Sequence, residues 1–302
     1  MDDSIRELSK ESQKVQRSFW DILLESIILN LDIRGKVIQD TDNNNEIISG
    51  LGNIIDPEIR SGQGRSFLTW YVDALQNISD LNGNYFKKVS KEYEQKLIDD
   101  ELGKLLSLLG INGNKIKSGS YLDNLIDFSS VYNKVQGNLI GNIITNQPID
   151  IQGNKDYILG TNPKEKGQSK TEPAVQVNRS GGAIEGAISQ KTFDSFQTFD
   201  RTISSSVAGA LNLNYAIYQG GLIKTSRAFC IERNNRVFSR AEIEKFGTKD
   251  DQFGGYENKS IGYFLGKSDP YNPFISLGGY NCRHMLDFVS NELAEILLKD
   301  QK

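Results

Sequence analysis

Apolar side chains recur every three or four positions over most of residues 1–146, and that spacing confines this part of the chain to helices. Between 4 and 33 the series runs Ile5, Leu8, Val15, Phe19, Ile22, Leu23, Ile27 and Leu31, which predicts one long amphipathic helix. Its FWDILLESIIL stretch needs cover, expected from the core of its own domain, with a neighbouring subunit as the alternative. A polar break at 42–45 leads to a short helix over 46–55, which Asp56-Pro57 should end. After the flexible SGQGRS segment, helices are expected over 67–78 and 85–109, separated at Asn82-Gly83-Asn84, the second divided near Asp99-Asp100 and closed by Gly110. Beyond a turn at Asn112-Gly113-Asn114, Leu122, Leu125, Phe128, Tyr132, Val135 and Leu139 trace one face of a further helix that ends before Pro148. Such helices with short connections make an antiparallel bundle.

The pattern stops at 147. From there to 183 the composition is Asn, Gln, Gly, Lys and Pro without apolar period, as in GTNPKEKGQSKTEPAVQVNRSGG, and reads as a loop, arm or linker. Helix resumes over 184–214, with Phe196, Phe199, Ile203, Val207 and Leu211 on one face. Three parts follow: a helical domain at 1–146, a polar linker at 147–183 and a C-terminal domain at 184–302.

Both cysteines, Cys230 and Cys282, and the only histidine, His284, fall within 215–289. Residues 215–223 are aromatic and branched and are broken by Gln219-Gly220-Gly221, which predicts extended chain or a turn. Residues 229–237 read as two strands around Asn234-Asn235. Ser239-Arg240-Ala241-Glu242 fits a capping box for a helix running to Phe246 and stopping at Gly247. Turns at Gly254-Gly255, Pro270, Pro273 and Gly278-Gly279 precede Asn281-Cys282-Arg283-His284. Leu286, Val289, Leu293, Ile296 and Leu297 then place that motif at the start of a C-terminal helix. The fold class is therefore α+β and predominantly α-helical, an N-terminal bundle followed by a small domain with a short antiparallel β element.

The order TSRAFC, NNRVFSRAEIEKF, LGGYNCRH resembles the C-terminal domain of the Mu F-like minor head, or head-morphogenesis, proteins of tailed bacteriophages, particularly those of Bacteroidetes phages. Matching positions are Thr225, Ser226, Arg227, Phe229, Cys230, Glu242, Gly278, Gly279, Asn281, Cys282, Arg283 and His284, and the likeness covers roughly 190–290. The family pattern often carries a further Cys or His between the two cysteine positions, which this chain lacks. The resemblance implies a virion protein made in the host bacterial cytoplasm, acting in head morphogenesis at the portal vertex or capsid interior. It also implies partners: the portal protein, the major capsid protein, further copies of the chain, and packaged DNA. A neck or tail adaptor ring, or a packaged effector or toxin enzyme, are the other roles it admits.

A net charge of −4 and a pI near 5.3 disfavour general phosphate attraction. The basic residues Lys224, Arg227, Arg233, Arg236, Arg240 and Lys245 are interleaved with Glu232, Glu242 and Glu244, which predicts a solvated mixed-charge surface. Two distant cysteines suit a reducing cytosol rather than a disulfide scaffold. The opening MDDSIRELSKES has no basic region before an apolar core, so no signal peptide is expected, and no run approaches a membrane span.

Cys230, Cys282 and His284 admit two readings. Thiolates and imidazole are zinc ligands, with a fourth donor to come from carboxylate, water or another subunit. Alternatively they are two small buried thiols and a histidine bonded to backbone. The residues alone favour the second reading, so no cofactor is expected, with zinc the ion the set could hold. No Gly-x-Ser-x-Gly elbow, Walker loop or His-Glu-x-x-His helix is present, and a Cys–His nucleophile would have to use His284, so no enzyme is expected. Asp99-Asp100 and Asp250-Asp251 read as solvated charges. Arg227, Arg233 and Arg283, with Gly278, Gly279 and Asn281, are expected to hold structure, guanidinium groups tying the glycine-rich connection to the hairpin, with contact to DNA phosphates or an acidic partner surface as the alternative for the arginines.

Overall fold

The computed structural model describes residues 2–112, 115–160, 182–253, 271–279 and 282–301. It is mainly helical, with one three-stranded antiparallel sheet near the C-terminus. The chain divides into two compact units, each built from two segments: residues 1–74 with 110–193, and residues 75–109 with 194–302. The helical region expected over 1–146 thus gives 75–109 to the second unit.

In the first unit, α1 (Asp2–Ile22) ends in a π turn (Leu23–Ile27) and a 3-10 turn (Ile28–Asn30). Phe19, Trp20, Leu23, Ile27 and Ile28 are buried, so the apolar stretch is covered by its own unit. Phe19 stacks on Tyr132 at 5.4 Å and meets Phe128 edge-on at 6.2 Å. The strands β1 (Ile33–Arg34) and β2 (Val37–Ile38) form a hairpin through Gly35 and Lys36, both at positive φ as a tight hairpin requires. Asn44 staples it, accepting from Asp32 N and donating to the carbonyls of Asp32 and Gln39.

Thr41 caps α2 (Asp42–Ser49), and α3 (Leu51–Ser61) follows at once. Pro57 lies inside α3, where the expected stop fails. An interior proline costs about 3 kcal/mol, but Ile55 and Ile59, both fully buried, return roughly 1.5–3 kcal/mol each. After β3 (Ile111–Asn112), β4 (Lys115–Ile116) and α6 (Tyr121–Leu125) comes α7 (Ser129–Thr145). The expected single helix face is therefore split between α6 and α7, though all six of its residues are buried. The expected linker begins with a helix, α8 (Ile151–Leu159), capped by Asp150, while the remainder, 161–181, lies outside the described residues. α1 packs on α3 and α8, and α7 on α2 and α3.

α4 (Gln63–Val89) follows Ser61 almost directly, leaving no room for a flexible SGQGRS segment. It also runs unbroken through Asn82-Gly83-Asn84, and α5 (Gln95–Leu109) is undivided at Asp99-Asp100. Asn82 is buried, donating to Ile78 O and to Asp200 Oδ1. Gly83 is where the Tyr93 hydroxyl comes close, 2.8 Å from where a Cβ would stand. α9 (Ala183–Ala210) brings the chain to β5 (Tyr215–Gln219).

Residues 228–233 are helical, not a strand: α10 (Ala228–Arg233) buries Phe229, Cys230 and Arg233, an i, i+1, i+4 set. The hairpin expected around Asn234-Asn235 is instead a pairing of β5 with β6 (Arg236–Ser239). The capping box at Ser239 forms and starts α11 (Arg240–Ile243), and Gly247 takes a positive φ after Phe246. Met285 begins a strand, β7 (Met285–Val289); the helix α12 (Asn291–Asp300) starts only after its cap at Ser290. The sheet order is β6-β5-β7. One face, with Val237 and Val289, packs on Ala294 of α12. The other carries Ala216, Tyr218, Phe238, Leu286 and Phe288, all buried. Among the described residues no helix is long and apolar enough to cross a membrane.

Candidate functional site

Tyr218 points from the central strand into the middle of the second unit, fully buried, and the rare side chains gather around it. Cys230 comes from α10, and Cys282 and His284 from the extended chain that enters β7. The Tyr218 hydroxyl donates to Cys230 Sγ at 3.4 Å and lies 3.8 Å from Cys282 Sγ. The two sulfurs are 3.8 Å apart, and Cys282 Sγ is 3.9 Å from His284 Nδ1. The His284 ring stacks on Tyr218 at 5.0 Å, and Phe229 and Phe246 meet Tyr218 edge-on.

Glycines make this approach feasible. A Cβ at Gly278 would overlap Cys230 Sγ and stand 3.0 Å from Cys282 Sγ. One at Gly220 would stand 2.8 Å from Cα, Cγ and Cδ2 of His284. Gly279, at φ 85°, turns the chain so that its carbonyl accepts from Cys282 N.

Arg201 of α9 fixes the backbone behind the cluster. It is buried, and its guanidinium donates to the carbonyls of Ile275, Cys282 and His284, with Gln197 Oε1 as a further acceptor. The residue that ties the glycine-rich connection down is thus Arg201, which sequence reasoning missed. Its signal was present: Gln197, Arg201, Ser204 and Ala208 continue the buried face marked by Phe196, Ile203 and Val207. Tyr218 was missed because one tyrosine in a strand announces nothing.

The remaining motif residues fall elsewhere. Arg233 is buried against Asp251, so Asp251 is no solvated loop charge and Arg233 no part of a solvated surface. Arg240 likewise turns inward, donating to Ser205 O and Leu213 O. Arg227 stands half-buried at the start of α10, where its charge acts on the Cys230 thiol, and Arg283 is exposed. Asn281, like Gly254-Gly255 and Pro270, lies outside the described residues.

Hydrogen bonding from Cys230 holds the Cys282 thiol below the usual thiol range, against the effect of its burial. That same bond, with burial, pushes Cys230 up, and burial pushes Tyr218 well up. His284 Nε2 is buried and has no hydrogen-bond partner among the described residues. Chemically, Cys230, Cys282 and His284 can hold a metal ion, their ligand atoms all lying within 4.8 Å of one another. A search of family models finds no match to this chain, and neither curated proteins nor solved structures match it.

Proposed function

We propose that the protein is a structural component of a tailed-phage virion, acting in head morphogenesis by docking on portal or major capsid subunits at the portal vertex or capsid interior. The observation that carries this reading is the convergence of the residues that resemble the Mu F-like pattern. Phe229, Cys230, Gly278, Cys282 and His284 meet in one closed core, where Cys230, Cys282 and His284 are 2–4 % exposed. Side chains so enclosed hold α10, β5 and the chain at 271–279 and 282–284 in place. A shape-holding role fits a binding protein better than turnover of a substrate, which would have to reach them. On the first unit, Ile140, Ile144, Ile151 and Tyr157 of α7 and α8 stay exposed and offer a protein partner apolar surface.

The test is location. Mass spectrometry of purified procapsids and mature particles, from a phage that encodes the chain, should find it at low copy relative to the major capsid protein. Tagged chain should co-purify with the portal protein. Absence from both kinds of particle would sink the reading.

A further inference from the structure

We propose that the second unit is closed around one zinc ion, held by Cys230 Sγ, Cys282 Sγ, a ring nitrogen of His284 and the phenol oxygen of Tyr218. With zinc–sulfur bonds of about 2.3 Å, two thiolates on one tetrahedral ion stand about 3.8 Å apart. Cys230 Sγ and Cys282 Sγ stand at that separation, 3.8 Å. A thiolate and an imidazole on the same ion stand roughly 3.6 Å apart, and Cys282 Sγ is 3.9 Å from His284 Nδ1. Tyr218 Oη, 3.4 and 3.8 Å from the two sulfurs, is near enough to supply the fourth donor. A disulfide needs its sulfurs at about 2.0 Å, and both cysteines are free.

A second observation is the enclosure of the donors: Cys230, Cys282 and His284 are 3 %, 4 % and 2 % exposed, as the ligands of a structural ion would be. Arg201 supplies the outer layer a metal site needs, since it grips the carbonyls of Cys282 and His284 and so orients two ligands without touching the donor atoms. Charge is balanced: both thiols lose their protons to solvent on binding, two thiolates neutralise the dication, and the phenol stays protonated. Two sulfurs with a nitrogen and an oxygen suit zinc, whereas copper(I) favours sulfur-rich sites. The ion would bridge α10, β5 and the entry to β7, clamping positions 230 and 282 across the chain between them. The inference concerns the second unit alone and stands apart from where the protein works.

The experiment uses the full chain, purified without chelator, with zinc, copper and iron quantified per chain by plasma mass spectrometry. One zinc per chain is expected. Removing it with a chelator should lower the melting temperature by about 10 °C, and stoichiometric zinc should restore it. Cobalt(II) in its place should give the intense visible bands of a tetrahedral centre with sulfur-to-metal charge transfer. Cys282→Ser should lose both signals, and Tyr218→Phe should keep the metal but shift the visible bands and weaken affinity at least tenfold. If Cys282→Ser does not fold, extraction and reloading of the parent still decides. Metal-free protein whose melting ignores added zinc overturns the proposal, as does copper in place of zinc or recovery of the two thiols as a disulfide. A Tyr218→Phe cobalt spectrum identical to the parent's removes Tyr218 from the ligand set.

Discussion

Nη2 of Arg233 bridges both carboxylate oxygens of Asp251, at 2.6 and 2.5 Å, with the two side chains 1 % and 0 % exposed. The guanidinium also donates to Phe229 O and lies against the rings of Phe229, Phe246 and Phe253. Asp251 in turn accepts from the backbone N–H groups of Gly247 and Phe253. The pair therefore fastens α10 to the turn that follows α11.

Desolvating two charges costs several kcal/mol, and pairing restores it only while both partners are present. Asp251→Ala leaves Arg233 charged and enclosed, and should destabilise the second unit by about 3–5 kcal/mol. Arg233→Lys should fail to rescue, because an ammonium cannot lie flat between the rings of Phe229 and Phe246. The double variant Arg233→Met/Asp251→Leu removes both charges and should be more stable than Asp251→Ala. Urea unfolding of the three variants checks the order; an Asp251→Ala midpoint equal to the parent's would mean the pair carries no weight.

At Gly278 a change of one methyl should be felt directly by the thiol pair. An added methyl would press on both sulfurs, Cys230 Sγ most closely. Gly278 has no positive φ, so the penalty is one of space rather than of backbone conformation. Overpacking of this kind costs about 1–3 kcal/mol. Gly278→Ala should therefore lower the melting temperature and force the two thiols apart. Labelling with a thiol reagent under native conditions would report it, because Cys230 and Cys282, 3 % and 4 % exposed in the parent, should react faster in the variant.

Particular residues explain which parts of this fold could be read in the sequence. The capping box at Ser239 was legible because it is local, two side chains and two N–H groups within four residues. Met285–Val289 was misread because Leu286 and Val289 also fit the spacing of the helix that follows. The sign of a strand was the burial of Leu286 and Phe288 two apart, with Ser290 as the true cap. α10 was misread for the converse reason: its core-facing residue after Phe229 and Cys230 is an arginine, whose burial depends on Asp251, eighteen residues further on. The gathering of Cys230, Cys282 and His284 in one stretch was visible as composition. That they touch, and that Tyr218 and Arg201 complete the group, depends on strand pairing and on α9, which spacing does not encode.

The sheet's outer strand β6 is shielded by a side chain. Gln301 accepts from Val237 N at 2.8 Å through Oε1 and donates to Val237 O at 3.4 Å, so its amide takes the place of a neighbouring strand. Unpaired edge groups invite pairing with another chain. Gln301→Ala should cost about 1 kcal/mol and promote concentration-dependent association. Analytical ultracentrifugation across a range of concentrations would show it, and a variant whose sedimentation matches the parent's throughout would count against a protective role.

Two carboxylates set a pH dependence whose sign is opposite to that of a paired acid. Asp200 on α9 is pushed up by burial, although Asn82 Nδ2 donates to it at 2.6 Å and Arg201 adjoins it. Asp287 on β7 is pushed up by burial and then by Asp200. In the native state each holds its proton at a pH where the unfolded chain has released it. Their contribution to stability is therefore full below the ordinary aspartate value, about 4, and is lost as pH rises through the elevated native values. Asp200→Asn keeps an acceptor for Asn82 and removes the desolvated charge. It should leave stability near pH 4 almost unchanged, raise it at neutral pH, and flatten the decline between them; Asp287→Asn should do the same more weakly, since part of its shift comes from Asp200. Denaturation midpoints between about pH 4 and pH 8 measure this directly, and a parent whose stability instead rises through that window on account of these two groups would reverse the assignment.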